Sequence, residues 1–117
     1  MIILKDTNST LELLTSSTAD VDYSVNYVTL TTTGATASSN EGKITTATTT
    51  VILAAPSGSD QRQVKLINIK NIHASTSNSI TLKKDISATE YQLLGTVVLA
   101  AGESLVYMDG IGFKKYN

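Results

Sequence analysis

The chain has 117 residues, a mass of 12.4 kDa and a net charge of -1, with 41% hydrophobic and 16% charged residues. That length fits one domain with one core, and the composition lies far from the charge-rich, apolar-poor kind that stays disordered. The absence of cysteine excludes disulfides, thiolate metal sites and cysteine nucleophiles, and the near-zero charge gives no electrostatic reason to expect nucleic acid or an anionic membrane as partner. Serine and threonine make up about a quarter of the chain, threonine alone about 18 residues, and its branched Cβ favours strands.

The chain opens with MIILKDTN, which has no basic segment and only a short apolar run, so no cleaved export signal is expected. Residues 1–8 read either as an N-terminal arm or as an ordinary first strand. Asn8-Ser9-Thr10 is a glycosylation triplet of a kind common by chance. Ser9 to Leu14 reads as a short strand, and DYSVNYVTL alternates Tyr23, Val25 and Tyr27 against Ser24, Asn26 and Val28, the period of a half-buried strand. Asp20 and Asp22 are two apart, so in a strand they share a face, where two carboxylates could contribute to a calcium site. Nothing nearby completes the six to eight oxygens that calcium takes, and a solvated strand edge is the better reading.

Thr31 to Gly42 reads as a long polar loop. KITTATTTVILAAP is a threonine-rich strand that turns apolar at Val51 to Leu53 and stops at Pro56, where PSGSD makes a turn. The longest apolar run, Val51 to Ala55, is far below the roughly 20 residues of a membrane helix. RQVKLINIKNIH, from Arg62 to His73, shifts its apolar phase from Val64 and Leu66 to Ile67 and Ile69. Either a bulge or packing on both faces follows, and either makes it a central strand.

Ala74 to Ser79 reads as a loop, SITLKK as a half-buried strand, and DISAT as a turn. EYQLLGTVVLA resumes the strand pattern, with Gly95 allowing a bend. Ala101-Gly102 and Asp109-Gly110 are turn signals between apolar runs. Residues 62–116 therefore read as an antiparallel meander of about five strands. No window has helical periodicity. The whole predicts an all-β fold of about seven or eight strands: one antiparallel β-sandwich or small barrel, jelly-roll-like or immunoglobulin-like.

Chemistry is sparse. His73 is the only histidine and lacks the partners that make a base, a metal site or a triad. Glu12, Glu41, Glu90 and Glu103 are the glutamates from which an acid pair of the glycosidase kind would be drawn, but no spacing suggests a positioned pair. With no tryptophan and one phenylalanine, aromatic platforms for sugars or bases are scarce. The basic doublets Lys83-Lys84 and Lys114-Lys115 read as solvated strand ends. No catalytic, cofactor-binding or metal-binding residue is expected. The acids are concentrated in residues 1–61 and the bases in residues 62–117, which is either chance or the mark of complementary faces in a homo-oligomer.

The segments TLELLTSSTADVDYSVNYVTL, ITTATTTVILAAPSGSDQRQVKLINIKNIHASTSNSITL and LAAGESLVYMDGIGF resemble small structural proteins encoded in the virion modules of tailed bacteriophages. The resemblance covers most of the chain and is best in RQVKLINIKN and LAAGESLVYMDGIGF. It implies a particle component without catalysis: a decoration (cement) subunit on the capsid surface, or a part of the neck, tail or fibre attachment. The implied partners are the major capsid protein or neighbouring virion proteins, in a homo-oligomer for which lattice symmetry favours a trimer. A carbohydrate-binding adhesion module and a glycoside hydrolase are the competing classes.

Overall fold

The computed structural model describes residues 1–117 as eleven β-strands with no helix. They are β1 (Ile2–Leu4), β2 (Ser9–Thr15), β3 (Val21–Leu30), β4 (Ala35–Ile44), β5 (Thr49–Leu53), β6 (Gln61–Asn71), β7 (Asn78–Ile86), β8 (Thr89–Gln92), β9 (Val97–Leu99), β10 (Ser104–Met108) and β11 (Gly112–Tyr116). All pairings are antiparallel. One sheet runs β11-β10-β6-β3-β4 with β1 also on β6; the other runs β5-β2-β7-β8 with β9 also on β7.

Both sheets feed a single hydrophobic cluster. Leu11, Leu13, Ile52, Leu53, Ile80, Leu82 and Leu99 come from one, and Leu4, Val21, Val25, Val64, Ile67, Ile69 and Leu105 from the other. The period of two is cleanest in β2, where Ser9, Leu11, Leu13 and Thr15 are buried and Thr10, Glu12 and Leu14 lie on the outer face.

β6 is the central strand, and its apolar phase shift is a bulge. On β3, Asn26 pairs with Leu66 and the next residue, Tyr27, pairs with Val64, so Lys65 is the extra residue. The bulge lets Val64 and Ile67, an odd number of residues apart, both face the core. It also divides the opposite edge of β6: β1 pairs with Arg62–Val64, and β10 with Leu66–Lys70. Residues 2–4 are thus a strand of the sheet, with Ile2 and Leu4 buried, rather than an arm.

Three expectations are corrected. Residues 62–116 are not a meander: β6 lies in one sheet, β7 to β9 in the other, and β10 and β11 return to the first. Buried Asn71 and Asn78 flank the first crossing. The Asn71 amide donates to the carbonyls of Thr76 and Leu99, and the Asn78 side chain accepts from Ser16 N–H and donates to Ala19. Ala101-Gly102 does make a turn, with Gly102 at φ 84°, but it carries the chain between sheets instead of closing a hairpin. Asp109-Gly110 does close one, between β10 and β11.

Thr31 to Gly42 is not a loop. Only Thr31–Gly34 turn, and Ala35–Ile44 pair continuously with β3. The segment is polar because it is an edge strand with little to bury: Ala35 to Ser39 are all exposed. Finally, the strand count is eleven rather than seven or eight, because β1, β8 and β9 are pieces of three or four residues below the length that periodicity resolves.

Candidate functional site

The densest group of ionisable side chains lies on the outer face of the second sheet. Antiparallel pairing sets Glu12 opposite Lys83, and Asp85 opposite Glu90. The hairpin turn at Ser87-Ala88, with φ of 52° and 68°, has both central residues left-handed and folds β8 back on β7. The result brings one carboxylate oxygen each from Glu12, Asp85 and Glu90 within 4.8 Å of one another.

Lys83 sits among them. It is 7% exposed, and its Nζ donates to Glu90 Oε2 at 2.6 Å. Glu12 Oε1 is buried without a hydrogen-bond partner. Burial, with help from Asp85 and Glu90, holds the Glu12 carboxyl above its ordinary range against the opposing pull of Lys83. Three acids around one ammonium leave excess negative charge when ionised. That excess adds to burial in raising the Glu12 carboxyl. Each acid can offer an oxygen to a divalent cation, but the Lys83 ammonium already occupies the group.

Of the four glutamates named from sequence, the structure therefore brings together Glu12 and Glu90 and leaves the others apart. Glu41 accepts from the Ser24 hydroxyl on the other sheet, and Glu103 accepts from Ala100 N–H at 2.7 Å and pairs with Lys115. Asp85 and Lys83 were missed as members of the group. The signal for Asp85 was the DISAT turn: once Ser87-Ala88 is placed as its centre, Asp85 must face Glu90, whereas Lys83 joins through the β2–β7 register, which no local turn sets. Lys83 is also a correction, since it is a buried mid-strand residue and not a solvated strand end.

The remaining candidates have structural partners. Asp20 precedes β3 and gives its carbonyl to Ile72 N–H, while Asp22 pairs with Lys43 at 2.6 Å on an exposed surface where such pairs contribute little. His73 Nδ1 accepts from the N–H groups of Ser75 and Thr76 and shapes the crossing loop. Lys114 lies over the Tyr116 ring. A shallow polar groove on the first sheet is lined by Asp22, Tyr23, Ser24, Glu41, Gly42, Lys43, Asn68 and Lys70.

Comparison with protein-family models, with curated proteins and with solved structures gave no match, so function must be argued from sequence and geometry.

Proposed function

We propose that this chain is a non-catalytic structural protein of a tailed-phage particle, most concretely a capsid decoration subunit, and that its two sheets form a β-sandwich of jelly-roll or immunoglobulin-like kind. The proposal joins the sequence resemblance to one structural observation: β4 is an edge strand of ten residues with which no strand but β3 pairs. Sheet edges adhere through main-chain hydrogen bonds and need no reactive side chain. On this reading the subunit holds the major capsid protein or neighbouring virion proteins, adding buried area at junctions of the shell. The ionisable group at Glu12, Lys83, Asp85 and Glu90 serves as a cross-strand ion-pair network rather than as an acid and base.

A neck, tail or fibre-attachment role rests on the same resemblance and differs in stoichiometry. The carbohydrate-module reading has one specific observation behind it, the polar groove containing Tyr23, Asp22, Glu41 and Asn68. Against it, the Tyr23 ring packs on Gly42 and the hydrophobic core instead of standing out as a platform.

Quantitative mass spectrometry of purified particles, normalised to the major capsid protein, tests the proposal. Hundreds of copies per particle support decoration, and a few dozen move the chain to the neck, tail or fibres. Its absence from the particle overturns both.

A further inference from the structure

Each sheet ends in strands with an unpaired side, and most of these are short or covered. On β5 and the residue after it, the Asn40 amide donates to Ile52 O at 2.7 Å and Arg62 Nη1 donates to Ala54 O at 2.6 Å. The β9 carbonyl of Val98 accepts from Lys115 Nζ at 3.0 Å. β11 carries Lys114 and Lys115 in a five-residue strand, and β8 has four residues. Edge lysines, short strands and covering side chains are the devices by which sheets avoid pairing with other chains.

β4 has none of them along Ala35–Asn40. It is ten residues long, pairs with β3 without a register shift, and contains no proline. No side chain or backbone group donates to its main chain from outside the β3–β4 ladder. The bond from Thr31 N–H to Gly34 O closes the hairpin. The alternation of an antiparallel ladder then turns the N–H and C=O groups of Ala35, Ala37, Ser39, Glu41 and Lys43 outward.

We infer that this edge pairs with the β4 edge of a second copy of the chain, antiparallel and about a twofold axis at Ser39, joining the two β3–β4 sheets into one. The outward residues are self-complementary in that register. Ser39 meets Ser39 of the second copy, Ala37 meets Glu41, and Ala35 meets Lys43, so no like charges are opposed and every outward main-chain group gains a partner. The small side chains of Ala35, Thr36, Ala37, Ser38 and Ser39 are exposed on both faces, which leaves room for the approach. The edge carries one acid and one base and no apolar anchor for a foreign peptide, which favours self-pairing. The contact is isologous and therefore twofold. It assigns to a second copy of this chain the same β4 edge on which the virion proposal draws, and it is tested on the isolated chain.

The test is multi-angle light scattering on the purified chain across a concentration series, with wild type, Ser39→Pro and Ala37→Glu, the last setting a like charge opposite Glu41 of the second copy. Proline at position 39 removes an outward N–H and leaves the β3 ladder its donors. Wild type should reach twice the 12.4 kDa chain mass, and both variants should halve it while keeping the wild-type circular dichroism. Hydrogen exchange at Ser39 and Glu41 should be slowed in wild type and fast in Ala37→Glu. A wild-type monomer at all concentrations, a trimer, or a dimer that survives both substitutions overturns the inference. If Ser39→Pro does not fold, Ala37→Glu alone decides. Particle copy number is unaffected by any of these outcomes, so the two proposals fail separately.

Discussion

The Tyr23 phenol lies across Gly42, its neighbour in the β3–β4 ladder, so closely that a Cβ at position 42 would stand 2.5 Å from the phenol oxygen. Glycine there is a packing requirement and not a backbone one. Gly42→Ala should cost about 1–3 kcal/mol, the usual range for a methyl forced into occupied space. In a Tyr23→Leu background, which removes the ring's outer atoms, the same substitution should cost much less. Urea denaturation of the four proteins in that cycle is the measurement, and equal costs in both backgrounds would contradict the contact.

The pH dependence of stability follows from three carboxyls. The raised Glu12 carboxyl favours the folded state below its ordinary value of 4.5, and that contribution is lost as pH rises through its folded value. Asp6 is held low by the N–H of Asn8 and the hydroxyl of Ser9, and Glu103 by the N–H of Ala100; their contributions are lost as pH falls below 3.8 and 4.5. Stability should therefore rise on acidification from neutral toward 4.5 and fall below it. Glu12→Gln should flatten the rise and gain about 0.2–1 kcal/mol at pH 7, the scale of like charges relieved between strands. Thermal melts from pH 3 to 8 would show it.

Ala88 holds φ of 68° without the freedom of glycine. Left-handed backbone costs an alanine about 1 kcal/mol, and a turn with two left-handed centres prefers glycine there. Ala88→Gly should raise stability by about 0.5–1 kcal/mol despite removing a side chain. A lower melting temperature would contradict the turn geometry.

Asn71 is fully buried and its amide serves two carbonyls, Thr76 O and Leu99 O, each at 2.9 Å, while its Oδ1 accepts from His73 N–H. Asn71→Asp keeps the shape and removes the donors. Each carbonyl so orphaned should cost about 1–3 kcal/mol. Denaturant unfolding measures the sum, and exchange of the His73 amide reports whether the crossing loop stays in place.

Deleting Met1 to Lys5 removes Ile2 and Leu4 from the core. Burial of such side chains contributes about 1.5–3 kcal/mol each, against a whole-domain stability of about 5–15 kcal/mol. The truncated chain should be strongly destabilised or unfolded by circular dichroism, whereas a detachable arm would leave the melt unchanged.

What the sequence revealed and what it hid divide along the same physical line. β2 buries alternate residues, β6 does so from Ile67 on, and β3 and β7 alternate apolar with polar residues in sequence, so their period announced them, and the Lys65 bulge announced itself as a change of phase. β4 buries only Ile44; its strand character comes from the ladder with β3, to which side-chain hydropathy is blind. The meander failed for a related reason. Turn residues at Ala101-Gly102 specify a reversal of direction, but which sheet receives the next strand depends on Asn71 and Asn78 finding partners across the core. The ionisable group needed strand register, and only its Asp85–Glu90 half lay within reach of a local turn.

The bulge at Lys65 has a kinetic consequence. By dividing one edge of β6 between β1 and β10, it seats the earliest and some of the latest strands of the chain end to end on the same ladder. During synthesis β1, β3, β4 and β6 can assemble, but the Leu66–Lys70 part of the far edge of β6 stays bare until residues 104–108 leave the ribosome. Long-range closures of this kind slow folding, and the half-dressed central strand is the species that a chaperone, or a second nascent chain, would meet.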